Sequence, residues 1–412
     1  MRLPVAFAVL AAVAACTTAP APEVDPSADA RYSALRDACL QIDPADQGGA
    51  MEQKARIAAC NGLVASGKAS PTDLIAAVRM RASLYALIGN FADAAKDYAE
   101  VVRLDSHDAV ALKALGDAYR RLGRCAPATA SYDRAIRLKP KFAAAFQARA
   151  DADLCLKDTS RAIDDLNQAI ELEPHWPELY TKRAALHMQR GEELAAIEDF
   201  GQALRLRPHD VPALLGRGDA EFKLAKYADA LADFDSAVRL APHNVDALYR
   251  RAQIRFQQQD YQAAIQDFSQ VIQLSPRVAD AFDKRGSTYA RIGDYSEAIA
   301  DFDQAVRLDP NFAEAFYHRG NVYSQKGYYQ QAIGDYTQAI GLAPRFAAAV
   351  INRGNAYLSH GDYDLAIQDY NRAAALDPGN SRASQGNVQA RLEKAKQASV
   401  KGIAIEPKSS EE

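Results

Sequence analysis

A 34-residue period in the placement of proline constrains this chain more than any other feature of its sequence. Eight prolines recur at that interval, and Ser106 holds the same phase one period before the first of them. The eight are Pro140, Pro174, Pro208, Pro242, Pro276, Pro310, Pro344 and Pro378. Counting back from these marks predicts nine tandem units, which begin at Ile75, Ala109, Ala143, Pro177, Val211, Val245, Ala279, Ala313 and Ala347. A fixed period in this range indicates a stack of repeated supersecondary units.

Each unit is predicted to be a pair of helices, as residues 279–312 illustrate. In both halves apolar and small side chains recur at helical spacing: Phe282, Gly286 and Tyr289, then Ala298, Phe302, Ala305 and Val306. Gly293 and Asp294 are expected to end the first helix and cap the second, and Asp309-Pro310 to stop the second. The unit is therefore expected to form a helical hairpin.

The spacing Phe282-x2-Arg285-Gly286-x2-Tyr289, followed by Ala298-x3-Phe302 and Pro310, resembles the tetratricopeptide repeat. The resemblance extends over residues 75–380. It implies an all-α fold, a right-handed superhelical solenoid of nine tandem 34-residue helix-turn-helix repeats. Arg285 departs from the pattern, because that family usually has an aliphatic residue in this slot.

The first 27 residues have the composition of an export signal and a tether. Residues 1–15 are predicted to be an export signal, in which residues 3–13 form an apolar run behind Arg2 that is too short to span a bilayer as a stable helix. Val13-Ala14-Ala15-Cys16 resembles a bacterial lipobox, which implies cleavage before Cys16 and its lipidation. Residues 16–27 are Pro-rich and polar, as expected of a tether. Thr17 resembles the sorting pattern for the outer membrane rather than the inner one. A plain secretory signal is the alternative.

Four cysteines remain after Cys16, an even number that suggests disulfides in an oxidising compartment. Cys39 and Cys60 fall in residues 28–74, a degenerate N-terminal helical hairpin that a disulfide would staple. Cys125 and Cys155 fall in neighbouring units near the loops, where stacking is expected to bring them close. Buried free thiols are the alternative for both pairs.

Two slots of the unit carry a charge ladder. Eight of nine units have arginine in one slot and aspartate sixteen residues later; the pairs include Arg285 with Asp301 and Arg319 with Asp335. The second unit has Leu115 and Ser131 and so lacks both partners together. This joint loss predicts that each arginine pairs with its aspartate across the hairpin, as a structural ion pair. An arginine-lined groove for anions is the alternative.

The units differ most in the slot of Tyr289. Four middle units lack tyrosine there and have an apolar residue next: Leu154, Met188, Phe222 and Phe256. The family resemblance implies that this next slot points into a concave groove formed by the first helices. Met188, Phe222 and Phe256 would then form an apolar stripe for a peptide or helix, with Tyr249 near its wall. The alternative is that they replace the missing tyrosine in packing. Glu221 and Arg255 could pair between stacked units.

A second candidate for groove binding lies in the last two units. Tyr317, His318 and Asn321 precede Asn352 and Asn355 by one period. Asparagines on first helices resemble the groove residues with which some family members bind a peptide backbone or terminal carboxylate. A solvated surface is the alternative.

Other functional classes find little support in the sequence. The histidines stand a unit apart or alone, so no metal site is predicted, and no catalytic motif or cofactor site stands out. The formal charge of −4, with both signs interspersed, argues against nucleic acid as the main partner. Residues 381–398 are expected to form a C-terminal capping helix, and residues 399–412 a disordered tail.

The sequence thus favours a non-catalytic scaffold that binds a protein or peptide partner of the cell envelope in its groove. Localisation is expected at the periplasmic side, with the membrane contacted through the N-terminal lipid alone. The alternative is a structural envelope protein that self-associates as a homo-oligomer and leaves the groove unused.

Overall fold

A computed structural model describes residues 26–40 and 50–403, with side chains for residues 29–40 and 52–399. Within those ranges every regular element is a helix, and no strand occurs. The prediction of an all-α chain of tandem helical hairpins is confirmed. The predicted signal, Cys16 and most of the predicted tether lie outside the described residues.

The chain divides into two compact units, Met1–Pro174 and His175–Glu412. The first unit contains α1 (Pro26–Leu40), α2 (Ala50–Ala65), α3 (Pro71–Leu87), α4 (Phe91–Leu104), α5 (Ala109–Arg121), α6 (Cys125–Leu138), α7 (Ala143–Cys155) and α8 (Thr159–Leu172). From α3 onward the helices follow the predicted period, two to a repeat.

The second unit continues the same alternation and ends in a longer helix. Its helices are α9 (Pro177–Arg190), α10 (Glu193–Leu206), α11 (Val211–Lys223), α12 (Tyr227–Leu240), α13 (Val245–Gln257), α14 (Tyr261–Leu274), α15 (Ala279–Ile292), α16 (Tyr295–Leu308), α17 (Ala313–Gln325), α18 (Tyr329–Leu342), α19 (Ala347–His360), α20 (Tyr363–Leu376) and α21 (Ser381–Ile403). Helix α21 runs past residue 398, into the segment predicted to be a disordered tail, because no proline interrupts it before Pro407.

The turn between α15 and α16 shows how the sequence sets the hairpin. Gly293 follows α15 with φ of 87°, in the left-handed region that glycine adopts without steric cost. Asp294 occupies the N-cap of α16, but its side chain makes no capping hydrogen bond. Asp260, at the same place before α14, does accept from the backbone N–H of Ala263. The expected aspartate cap is therefore present at some turns and absent at this one.

Small residues let the paired helices approach. A Cβ placed on Gly286 would lie 3.1 Å from the carbonyl oxygen of Ala298 and 3.1 Å from the ring of Phe302. Both Ala298 and Phe302 are buried. Three positions of the repeat therefore meet in one contact: the Gly/Ala slot of Gly286, the alanine slot of Ala298 and the aromatic slot of Phe302. Each hairpin repeats this contact. Among the described residues, none of the helices is both long and apolar enough to cross a membrane.

Candidate functional site

A pocket of about 530 Å³ lies in the second unit, across the first helices of four successive hairpins, α11, α13, α15 and α17. Phe222 and Phe256 line it from α11 and α13, and Tyr317, His318 and Asn321 line it from α17. The pocket thus unites residues from two groups that the sequence suggested as separate candidates.

The base of the pocket is aromatic. Phe268 of α14 and Phe302 of α16 line it and are buried. Both belong to the aromatic slot of the second helix, so the same residues hold the hairpins together and close the pocket from below.

Phe222 and Phe256 both pack and line the pocket. The ring of Phe222 lies 5.5 Å from that of Tyr227, the first residue of the second helix in its hairpin. Phe256 and Tyr261 repeat this contact at 5.6 Å. Each phenylalanine is nonetheless only partly buried. The two interpretations of these residues, packing and groove, therefore both describe part of what they do.

Met188 and Tyr249, the other members of the predicted stripe, do not line the pocket. Met188 packs against a core cluster that includes Ala184 and Phe200. The Tyr249 hydroxyl donates to Asp280, and its ring meets that of Phe268 edge-on at 5.7 Å. Burial and the hydrogen bond to Asp280 raise the pKa of Tyr249. Tyr249 therefore supports the wall of the pocket as a neutral phenol.

A buried carboxylate contacts two of the polar groups that line the pocket. Asp283 is 0% exposed, and its Oδ1 lies 2.6 Å from Nδ1 of His318. Its Oδ2 accepts from Nζ of Lys284 at 3.2 Å. Burial lowers the pKa of Lys284, but the charges of Asp283 and Asp280 outweigh burial, and the net direction is upward. Lys284 is therefore an ion-paired ammonium at neutral pH.

The asparagines predicted as groove residues hold tyrosine hydroxyls. Asn321 Oδ1 accepts from Tyr336 at 2.8 Å, and Asn355 Oδ1 accepts from Tyr370 at 2.7 Å. Asn352 does not line the pocket, and its Nδ2 donates to Asn321 at 2.8 Å. Asn321 is the one of the three that also faces the pocket.

Sequence reasoning missed this tyrosine rule, although a signal was present. Wherever the aromatic slot of the second helix is tyrosine, the residue fifteen positions earlier is polar and bonds its hydroxyl; the pairs are Ser83–Tyr98, Asp117–Tyr132, Asn321–Tyr336 and Asn355–Tyr370. In α12, α14 and α16 that slot is phenylalanine. Ser287, which lines the pocket from the matching position of α15, therefore faces no tyrosine hydroxyl. Gln253, at the matching position of α13, instead donates to the hydroxyl of Tyr249 on its own helix at 3.3 Å.

The arginine–aspartate ladder is present in the structure as bidentate pairs. In each, Nε and Nη2 of the arginine donate to the two carboxylate oxygens at 2.5–2.9 Å; the pairs are Arg81–Asp97, Arg149–Asp165, Arg183–Asp199, Arg217–Asp233, Arg251–Asp267, Arg285–Asp301, Arg319–Asp335 and Arg353–Asp369. These arginines are engaged with carboxylates, which leaves little support for an anion groove made from them.

The suggested contact between Glu221 and Arg255 was wrong. Arg255 instead donates to Asp267 at 2.9 Å, within its own hairpin, and shares that carboxylate with Arg251. Glu221 keeps one carboxylate oxygen, Oε2, without a hydrogen-bond partner among the described residues.

The four described cysteines are joined as two disulfides. Cys39 pairs with Cys60 between α1 and α2, and Cys125 pairs with Cys155 between α6 and α7. Within the described residues no cluster of histidine, cysteine and carboxylate side chains is arranged to hold a metal ion.

Tandem helical hairpins with a pocket across their first helices define a helical-repeat protein. A family model described as "TPR repeat" matches residues 286–327, and one described as "Tetratricopeptide repeat" matches residues 79–143, 215–279 and 319–381. Together these matches cover more than half of the chain, which therefore belongs to the tetratricopeptide repeat family. The resemblance seen in the sequence is confirmed. A comparison with curated proteins finds no match.

Solved structures of other tetratricopeptide repeat proteins are similar to parts of the chain. One is a tetratricopeptide repeat protein from Parabacteroides merdae, with 19% identity over 60% of this chain and 97% of its own, and a TM-score of 0.49. Another is YrrB, described as having an unusual peptide-binding site, with 24% identity, 45% and 95% coverage, and a TM-score of 0.40. MamA from Desulfovibrio magneticus has 24% identity, 40% and 94% coverage, and a TM-score of 0.39.

Proposed function

We propose that this protein is a non-catalytic scaffold whose pocket across α11, α13, α15 and α17 binds an extended segment of a partner protein. The observation that carries the proposal is the pairing of Phe222 and Phe256 in one pocket. Both rings are partly exposed, and the same pocket is lined by Ser287, which faces no tyrosine hydroxyl, and by amide side chains such as Gln257. Aromatic anchors beside amide groups suit a ligand that offers both side chains and a peptide backbone.

Capture from a native cell-envelope extract tests this proposal. The baits are the chain from Thr17 onward, its Phe256→Glu variant and its Leu240→Glu variant. Leu240 lies at the end of α12, is 42% exposed and does not line the pocket. Leu240→Glu therefore adds a carboxylate to the same unit without altering the pocket. We expect the Phe256→Glu bait to lose partners that the other two retain. Equal capture by all three baits would argue against the pocket.

A second variant separates pocket loss from misfolding, because Phe256 also packs against Tyr261. Ser287→Trp fills the pocket without removing an aromatic contact, since Ser287 lines it from α15. Circular dichroism and thermal unfolding verify that each variant is folded. Loss of the same partners from Phe256→Glu and Ser287→Trp supports a ligand inside the pocket.

Self-association is the second candidate function, and one observation favours it. Val388 and Leu392 lie one turn apart on α21 and are 68% and 49% exposed. Exposed apolar side chains at this spacing suit a helix-to-helix contact. Analytical ultracentrifugation of the parent and a Val388→Lys/Leu392→Lys variant tests it. A monomeric parent removes this candidate.

We also propose that the chain is lipid-anchored at Cys16 and faces the periplasm, more readily from the outer membrane than from the inner. The small residues before Cys16 and the Pro-rich segment after it support this. Fractionation of cells that express a Cys16→Ser chain tests it. A variant that stays with the membrane as tightly as the parent would refute the anchor.

A further inference from the structure

The charged residues that line the pocket are cations, with no carboxylate among the lining residues. Lys284 and Arg291 line it from α15, and His318 adds a titratable ring from α17. Lys284 and His318 both contact the buried carboxylate of Asp283.

Arg291 has no carboxylate partner among the described residues. Its Nε donates to the Tyr261 hydroxyl at 3.3 Å, and its guanidinium carbon lies 5.9 Å from the centre of the Tyr261 ring. Stacking of this kind orients the planar guanidinium. Arg291 is exposed and both contacts are with a neutral side chain, so its guanidinium remains accessible to an anion. The ladder arginines of the same helices are each occupied by an aspartate. Arg291, unlike the ladder arginines, is available to bind an anionic group of a ligand.

A hydroxyl lies one turn from Arg291 on the same helix. Ser287 lines the pocket four residues earlier, and the phenylalanine of α16 leaves its hydroxyl without a tyrosine to bond. Guanidinium and hydroxyl donors side by side suit a carboxylate. The apolar side of the pocket, Phe222 and Phe256, lies on the two preceding first helices.

Resting on the function proposed above, we infer that the pocket binds an extended protein segment with a carboxylate at Arg291 and a large apolar side chain at Phe256. The Tyr261 ring lies 5.6 Å from the Phe256 ring and 5.9 Å from the guanidinium carbon of Arg291, so these two side chains lie within about 12 Å of each other. An extended chain rises about 3.3 Å per residue. The acidic and apolar residues of the ligand are therefore about three positions apart. A second apolar residue, about three positions further, reaches Phe222.

Selection from a library of random ten-residue displayed peptides tests this inference. The baits are the full chain, Arg291→Glu, Arg307→Glu and Phe256→Glu. Arg307 is a matched control because it is exposed on α16, hydrogen-bonds a neutral Gln304 at 3.5 Å and does not line the pocket. We expect the parent and Arg307→Glu to select Asp or Glu about three positions from Phe, Tyr, Trp or Leu. We expect Arg291→Glu to select Lys or Arg there instead.

Affinities of the selected consensus peptide give the quantitative result. We expect at least a tenfold loss for Arg291→Glu and less than a twofold loss for Arg307→Glu. Two versions of the peptide determine whether the carboxylate is a side chain or a chain terminus. One has an amidated C-terminus and keeps its acidic side chain, and the other has Glu→Gln and keeps a free C-terminus. Either source supports the inference.

Two contrary outcomes are distinguishable. Peptides that require Phe256 but show no preference for a carboxylate, or that lose affinity equally with Arg291→Glu and Arg307→Glu, overturn the inference and leave the proposed function standing. Absence of any Phe256-dependent peptide overturns both.

Discussion

Glu221 carries a buried carboxyl group in a slot where the outer units have tyrosine. Its side chain is 7% exposed, and Oε2 lacks a hydrogen-bond partner among the described residues. Burial, together with the charge of Asp233, raises the pKa of Glu221 from 4.5 to about 7, although Arg217 opposes the shift. The chain therefore holds a group that ionises near neutral pH beside the pocket residue Phe222.

We expect Glu221→Gln to match the parent in stability near pH 4.5 and to exceed it at pH 8. The folded-state pKa lies above the unfolded one, so the stability that depends on Glu221 is full below pH 4.5 and is lost as pH rises through 7. The loss amounts to roughly 3 kcal/mol at most. Urea denaturation at the two pH values measures it. A difference between parent and variant that does not change with pH would contradict the prediction.

At the scale of the helix pair, the arginine–aspartate ion pairs fix the register of each hairpin. Their net contribution to the free energy of unfolding is reduced by the cost of burying both charges. Asp301 is 5% exposed, and burial raises its pKa even though Arg285 opposes the shift. The hydrogen bond to Asp301 in turn raises the pKa of Arg285. Each partner thus depends on the other to offset the cost of burial.

The second repeat supplies a natural control for this pair. It has Leu115 in place of the arginine and Ser131 in place of the aspartate, and the Ser131 hydroxyl donates to the Pro127 carbonyl at 2.9 Å. That combination leaves no buried charge.

We expect Arg285→Leu to lower the free energy of unfolding by about 3 kcal/mol or more, because it leaves Asp301 buried without its cation. Arg285→Leu/Asp301→Ser, which copies the second repeat, is expected to recover most of that loss. Denaturation followed by circular dichroism compares the two. A double variant no more stable than the single one would show that the pair itself is required.

At the scale of the whole molecule, the ladder arginines also join consecutive hairpins. Nη1 of six of these arginines reaches back to the second helix of the preceding hairpin, where it meets Asn, Asp, Ser or Thr; the contacts are Arg81–Asn61, Arg149–Asp133, Arg251–Asp235, Arg285–Ser269, Arg319–Asp303 and Arg353–Thr337. Arg217 faces Gly201 at this place, and a Cβ there would lie 3.9 Å from its Nη1. In a repeat array such contacts between neighbours supply much of the cohesion.

We expect Gly201→Asp to complete this contact between α10 and α11. The variant should be more stable than Gly201→Asn by about 0.5–1 kcal/mol at low salt, since the two residues have similar helix propensity and differ in charge. The difference should shrink in 1 M salt, where the Debye length falls to about 3 Å. Thermal unfolding of both variants at two salt concentrations checks it. Equal stability at low salt would show that the carboxylate does not reach Arg217.

The fold followed from the sequence because its determinants recur in fixed slots. The 34-residue period predicts helical hairpins, and small residues such as Gly286 and Ala298 predict where paired helices touch. The joint loss of arginine and aspartate in the second repeat predicts their pairing, since both partners lie in one hairpin at a constant separation. Only the pattern was needed for these conclusions.

The candidate site depended on the tertiary structure. Met188, Phe222 and Phe256 hold the same slot and all three pack against core clusters, but Phe222 and Phe256 also line the pocket whereas Met188 does not. Asn321 and Asn355 are partly occupied by tyrosine hydroxyls, whereas Ser287 faces a phenylalanine. The slot assigns a residue to a helix face. What that residue can bind is decided by contacts between helices, where burial and competing partners fix which polar groups remain available.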